Sequence, residues 1–204
     1  MFKKIVAVVS TALVLSVSSM VAQAATTFNF GAGPDRSLVS SFNMSSGGLD
    51  LTVSAGRFSN SGSVTPGGRV GTNNNGLGVD RGRFDGGQVD GALGNDVAIF
   101  NFNQDVKFES VTFSNWDNND QYTFFVGDPL QNQGFNFLSG YDLAAQNYIA
   151  SMFGIGAHDS NDNFRIASIS VSAVPLPTSV LLFGGALLGL GWLSRRKVKA
   201  AAIA

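Results

Sequence analysis

The sequence predicts an all-β fold, an antiparallel β-sandwich of jelly-roll kind, flanked by one apolar helix at each end. Three observations lead there. Between residues 25 and 173 no twelve-residue segment holds a good 3.6-residue period, whereas several short segments alternate apolar and polar residues. Asn, Ser and Gly separate those segments, and Phe is their main large apolar residue. The long apolar runs lie only near the two ends of the 204 residues.

The first 24 residues read as an export signal. Lys3 and Lys4 precede an apolar run from Ile5 to Val17, which ends in Ala22-Gln23-Ala24. A basic start, a short apolar core and a small-x-small site make a secretory signal peptide, cut by signal peptidase after Ala24. Thirteen helical residues span only ~20 Å, short of the ~30 Å hydrocarbon core.

Strands follow in order. Leu49, Leu51 and Val53 alternate with Asp50, Thr52 and Ser54. The stretch 59–95 holds 11 glycines and reads as long rim loops, the usual place for binding residues. Val97-Ala98-Ile99-Phe100-Asn101-Phe102, after Asn95-Asp96, reads as a buried or half-buried strand, and Tyr122, Phe124 and Val126 line one face of another. Two segments share an unusual rhythm. Val106, Phe108, Val111 and Phe113 are spaced +2, +3, +2, and so are Phe164, Ile166, Ile169 and Val171. An extra residue in an alternating strand requires a β-bulge or a change of face. The pair is expected on facing edges of the sandwich. One short helix is expected within residues 141–152.

The chain closes with a second apolar segment. Val174-Pro175-Leu176-Pro177 forms a stiff linker, since proline fits neither a regular helix nor a central strand. With Thr178 and Ser179, the run to Leu193 gives ~24 Å of helix, a short transmembrane span. Arg195-Arg196-Lys197 follow and should stay cytoplasmic. The expected organisation is therefore a signal peptide (1–24), a β-sandwich ectodomain (25–173), a tail (174–199) and a short cytoplasmic end (200–204).

The proline linker, the apolar run with Leu182-Phe183-Gly184 and Leu187-Leu188-Gly189-Leu190, and Arg195-Arg196 together resemble a PEP-CTERM sorting signal in its Val-Pro-Leu-Pro variant. Leu176 stands where the name-giving motif has glutamate. The resemblance implies an exported protein of a Gram-negative bacterium that makes extracellular polysaccharide. It also implies cleavage near the Pro-x-Pro by an exosortase-like membrane protease. It covers about 25 residues and says nothing of the body's activity.

Composition narrows the body's chemistry. The chain has no cysteine and a single histidine, His158, which excludes thiolate, iron–sulfur and multi-histidine sites. Seven basic residues against fourteen acidic ones leave residues 25–173 at −7, which disfavours nucleic acid and suits cations or neutral partners such as polysaccharide. Oxygen ligands are abundant. Asp117 and Asp120 flank two asparagines after a strand, the best candidate for calcium. Asp159-x-Asn161-Asp162-Asn163 and the set Asp85, Asp90 and Asp96 are further acidic loops, while Asn, Asp and Gly also simply make turns. Trp116, Tyr122 and Tyr141 could stack on a sugar. No catalytic residue is assigned. The expected function is a non-enzymatic surface or matrix protein, held transiently in the inner membrane. The alternative is a secreted polysaccharide hydrolase using an aspartate pair.

Overall fold

The computed structural model describes residues 24–174, apart from 33, 34, 83, 84 and 93. The signal peptide and the apolar tail, with Ala22, Pro175, Leu176, Pro177, Arg195 and Arg196, lie outside the described residues. Among the described residues the body is all-β, with thirteen strands in antiparallel ladders of one sheet. Its helical content among the described residues is one 3-10 turn, Ala144–Gln146.

The strand β9, Asp96–Ser114, organises the rest. One edge pairs with β12, Ile149–Gly156, from Val97 to Lys107. The other edge changes partner. Residues 96–102 pair with β4, Leu49–Phe58, and residues 106–114 pair with β13, Asn163–Ala173. Exposed Asn103, Gln104 and Asp105 mark the change. The sheet therefore forks. The β4 branch carries β3 (Ser41–Ser46) and β5 (Val64–Pro66). On its free edge β13 meets β1 (Thr26–Asn29), β7 (Gly76–Asp80) and β8 (Val89–Asp90). Beyond β7 follow β6 (Arg69–Asn73) and β2 (Arg36–Val39). Beyond β12 follow β10 (Tyr122–Val126) and β11 (Gln131–Phe137).

Residues of both branches and of β9 join one core cluster. Phe28 of β1 meets Phe102 of β9 edge-on at 5.8 Å, and Phe108 sits 5.1 Å from Phe124 and 5.0 Å from Phe153. Few charges and many phenylalanines suit this arrangement, because each ring buries roughly 150–250 Å² on its own. The run Val97-Ala98-Ile99-Phe100 is covered on both sides. Ala98 and Phe100 belong to the main core, and Val97 and Ile99 pack with Phe58 and Phe125 outside it. Double burial explains why this strand reads as a continuous apolar run.

The shared rhythm resolves into two bulges in one ladder. On β13, Ile166 faces Phe113 and Ser168 faces Thr112, so Ala167 is extra. On β9, Ser110 faces Ser170 and Phe108 faces Val171, so Glu109 is extra. Each bulge restores the apolar side to the core after a three-residue step. The two strands are hydrogen-bonded neighbours, not facing edges, which corrects the expected placement.

Two other expectations change. The glycine-rich stretch contains β5 to β8 rather than rim loops alone. Its glycines let backbones touch: a Cβ on Gly78 would strike the Gly87 carbonyl, and one on Gly76 the Ile166 carbonyl. The expected helix in 141–152 shrinks to the 3-10 turn, because Asn147 takes a left-handed conformation (φ 54°) and Ile149 onward joins β12.

Deleting Ala167 should move Ile169 and Val171 to the wrong face and abolish the cooperative thermal transition. Ala167→Ser, which keeps the bulge, should melt within a few degrees of the parent by circular dichroism. A cooperative melt of the deletion variant would refute the register.

Candidate functional site

Three loops gather where β13 begins, at the opposite end of that strand from Val174. Two of them carry the related runs Asp117-Asn118-Asn119-Asp120 and Asp159-Ser160-Asn161-Asp162. Each final aspartate is buried, 1% exposed, and locks its own loop to the other. Asp120 accepts the Asp117 N–H (2.7 Å) and the Asn163 N–H (2.9 Å). Asp162 accepts the Asp159 N–H (2.9 Å) and the Gln121 N–H (3.0 Å). The exchange ties the start of β10 to the start of β13. Burial pushes the Asp162 pKa upward, against the amides of Asp159 and Gln121.

This geometry shows what the expected calcium pair does. Both oxygens of Asp120 already serve backbone amides, and Asp117 Oδ1 accepts the Asn119 N–H at 3.0 Å. A cation there would share these oxygens with the amides. The equivalence of the two loops was visible as the repeated Asp-x-Asn-Asp pattern, although its reciprocal bonding was not.

The third segment runs from β7 through β8 to the start of β9 and holds Asp85, Asp90 and Asp96, with ligand oxygens within 4.8 Å of one another. That spacing is compact enough for a hard cation. A guanidinium already supplies positive charge: Arg81 is ion-paired to Asp96 through Nε and hydrogen-bonds the Gly94 carbonyl. The Arg81 N–H donates to Asp85 at 2.7 Å. Burial raises the Asp96 pKa to about 7; Arg81 opposes the rise, and Asp85 and Asp90 add to it.

Beside this loop runs a groove of about 410 Å³, lined among others by Arg36, Thr72, Asn73, Asp80, Asp85 and Arg165. Asp80 is held by Arg69 at 2.8 Å. Sequence reasoning missed the groove, because β2, β6 and β13 bring its residues together from distant positions.

The aromatic candidates separate. Trp116 packs on Phe113 (4.6 Å) and Phe164 (5.3 Å) at the core margin. Tyr122 is buried at 1% exposure, which raises its pKa beyond the usual phenol range. Tyr141 is exposed and packs at a tilt on Phe137 at 4.5 Å. His158 packs on Phe135 at 4.6 Å and contacts Asp159 at 3.0 Å, a surface position with aromatic support. Of the processing residues, Ala24 is exposed just before β1, and the Val174 N–H donates to the Asp105 carbonyl at 3.4 Å.

No protein-family model, curated protein or solved structure matches the chain.

Replacing Asp162 with alanine leaves the amides of Gln121 and Asp159 without their acceptor and should cost about 1–3 kcal/mol in urea unfolding. Asp120→Ala should cost a similar amount. The double variant should lose less than the sum, since both break one junction.

A second prediction concerns pH. The folded state holds the Asp96 proton more tightly than the unfolded chain, whose ordinary value is 3.8. This contribution to stability is therefore full below about pH 4 and is lost as pH rises through about 7. Melting temperature measured from pH 4 to 8 should fall less steeply in Asp96→Asn than in the parent. Identical slopes would refute the raised pKa.

Proposed function

We propose that this chain is an exported, non-enzymatic protein of the cell surface or extracellular matrix, sorted through its PEP-CTERM-like tail. Its body is a jelly-roll-like β-sandwich that contacts polysaccharide. One observation carries the reading. β1 begins at Thr26, two residues after Ala24, and β13 ends at Ala173, immediately before the Val174-Pro175-Leu176-Pro177 linker. The two boundaries inferred from targeting signals are thus the two edges of the folded strands. Thr26 and Val171 are also ladder partners, so both junctions lie at one end of the body. Signal peptidase and an exosortase-like protease could then cut without opening a strand. The forked sheet, with Phe28 of β1 and Leu49, Leu51 and Val53 of β4 in one core cluster, supports the sandwich reading.

The route follows from the same signals. The protein is held briefly in the inner membrane with its C-terminus in the cytoplasm, then released to the cell surface or the extracellular polymer.

One observation favours the alternative, a hydrolase. Asp96 has the raised pKa of a general acid and stands among two further carboxylates. Against it, Asp96 is 0% exposed and paired with Arg81, so it has no path to a glycosidic oxygen.

Two experiments test the proposal. A reporter fused after Ala204 should be active only when it needs the cytoplasm, and periplasmic activity would overturn the topology. Replacing Pro175 and Pro177 with alanine should make cells accumulate the unprocessed chain. Unchanged release of that variant would remove the linker from the processing step.

A further inference from the structure

We propose that the groove beside Arg165 binds the carboxylate of a uronic-acid residue in an acidic polysaccharide. The inference rests on the polysaccharide reading and names the sugar class it would take.

Arg165 on β13 is half-buried and lines the groove. Among the described residues no carboxylate lies within ion-pair distance of it, and its hydrogen bond is to the Gly76 carbonyl at 3.4 Å. Burial lowers the pKa of this guanidinium, with no neighbouring acid to offset the effect. Holding a desolvated cation this way is costly unless an anion arrives from outside. A guanidinium presents a planar fork that matches a carboxylate in two parallel hydrogen bonds. The sequence has made room for it: a Cβ on Gly78 would stand 2.6 Å from Arg165 Nη1.

The remaining lining selects the ligand class. Ser37, Thr72 and Asn73 offer hydroxyl and amide groups; of the lining carboxylates Asp35, Asp80 and Asp85, Asp80 is paired with Arg69 and Asp85 already accepts the Arg81 and Gly87 amides. Carboxylates accept hydrogen bonds from sugar hydroxyls and repel a phosphate dianion more strongly than a single carboxylate. A uronate ring has one carboxylate and several hydroxyl donors, which fits both halves of the lining. The volume, about 410 Å³, lies in the range of small-ligand sites, ~300–1,000 Å³. β2 is the terminal strand of its branch, so the groove lies at a sheet edge. There Arg36, stacked over Phe42 at 4.9 Å, gives a second cation for the next residue of a polymer. The body's net charge of −7 makes diffuse capture of a polyanion unfavourable, so binding would report the groove itself.

Full-length protein in detergent micelles, with chelator to prevent calcium bridging, would be titrated with polygalacturonate, its carboxyl-reduced form and dextran. Polygalacturonate should bind. Carboxyl reduction, or Arg165→Gln, should weaken binding at least tenfold, and Arg165→Lys should retain part of it. Arg165→Gln should melt no lower than the parent, since it relieves an uncompensated charge. If that variant fails to fold, the carboxyl-reduced polymer decides alone. Equal binding of reduced and native polymer, or of dextran, would overturn the uronate inference while leaving polysaccharide contact standing. Equal binding by a folded Arg165→Gln would move the site elsewhere. Binding to none of the three polymers would overturn both.

Discussion

The ladder between β9 and β13 is the constraint on which the rest of the body depends. A strand of 19 residues serves two branches of one sheet, and it can do so only if its apolar side keeps facing the core. Glu109 and Ala167, one extra residue on each strand, maintain that facing for Val106, Phe108, Ile169 and Val171. A one-residue slip would expose the whole set. The bulged Glu109 is tied down on the outer face, accepting from Ser172 at 2.5 Å and pairing with Lys107 at 3.3 Å. Ala167 accepts the Phe30 N–H at 2.9 Å, so the second bulge also docks the segment that follows β1.

From that ladder follows the division of the body into two ends. At one end β13 runs into the linker, with β1 beside it. At the other, Asn163 pairs with Asp90 and donates to Asp120, so one residue joins all three polar loops. Arg165 lies two residues further along β13, and nine residues, ~30 Å of strand, separate it from Val174. A chain attached through its C-terminus would hold one end and leave the groove end free. The polar cluster is rigidly built: two buried carboxylates saturate loop amides, and a third is paired with arginine. Rigid loops on a braced sheet suit recognition, because little order remains to be imposed on binding.

Much of the fold was legible in residue spacing. Alternation found β4 and β10, the continuous apolar run marked the doubly covered half of β9, and the +2, +3, +2 rhythm announced the bulges. What that rhythm could not reveal was pairing, since two bulged strands can face or adjoin each other with the same spacing. The stretch 59–95 misled for a physical reason. Glycine signals loops because it frees the backbone, but at Gly76 and Gly78 it is needed because neighbouring backbones leave no space for a Cβ. The site was legible only in part. The acidic loops stood out by composition, and the repeated Asp-x-Asn-Asp hinted at equivalence. The solitary guanidinium did not stand out. Arg165 looks like any strand arginine until β7 and the loop before β8 bury it and, among the described residues, no carboxylate reaches ion-pair distance.

We propose that the folded body ends where the sorting signal begins. The intact mass of the protein recovered from the cell surface or matrix tests this most directly. The account predicts an N-terminus at Ala25 and a C-terminus within the Val174 to Pro177 linker. A surface-recovered chain that retains the apolar tail, or one cut inside β1 or β13, would contradict it.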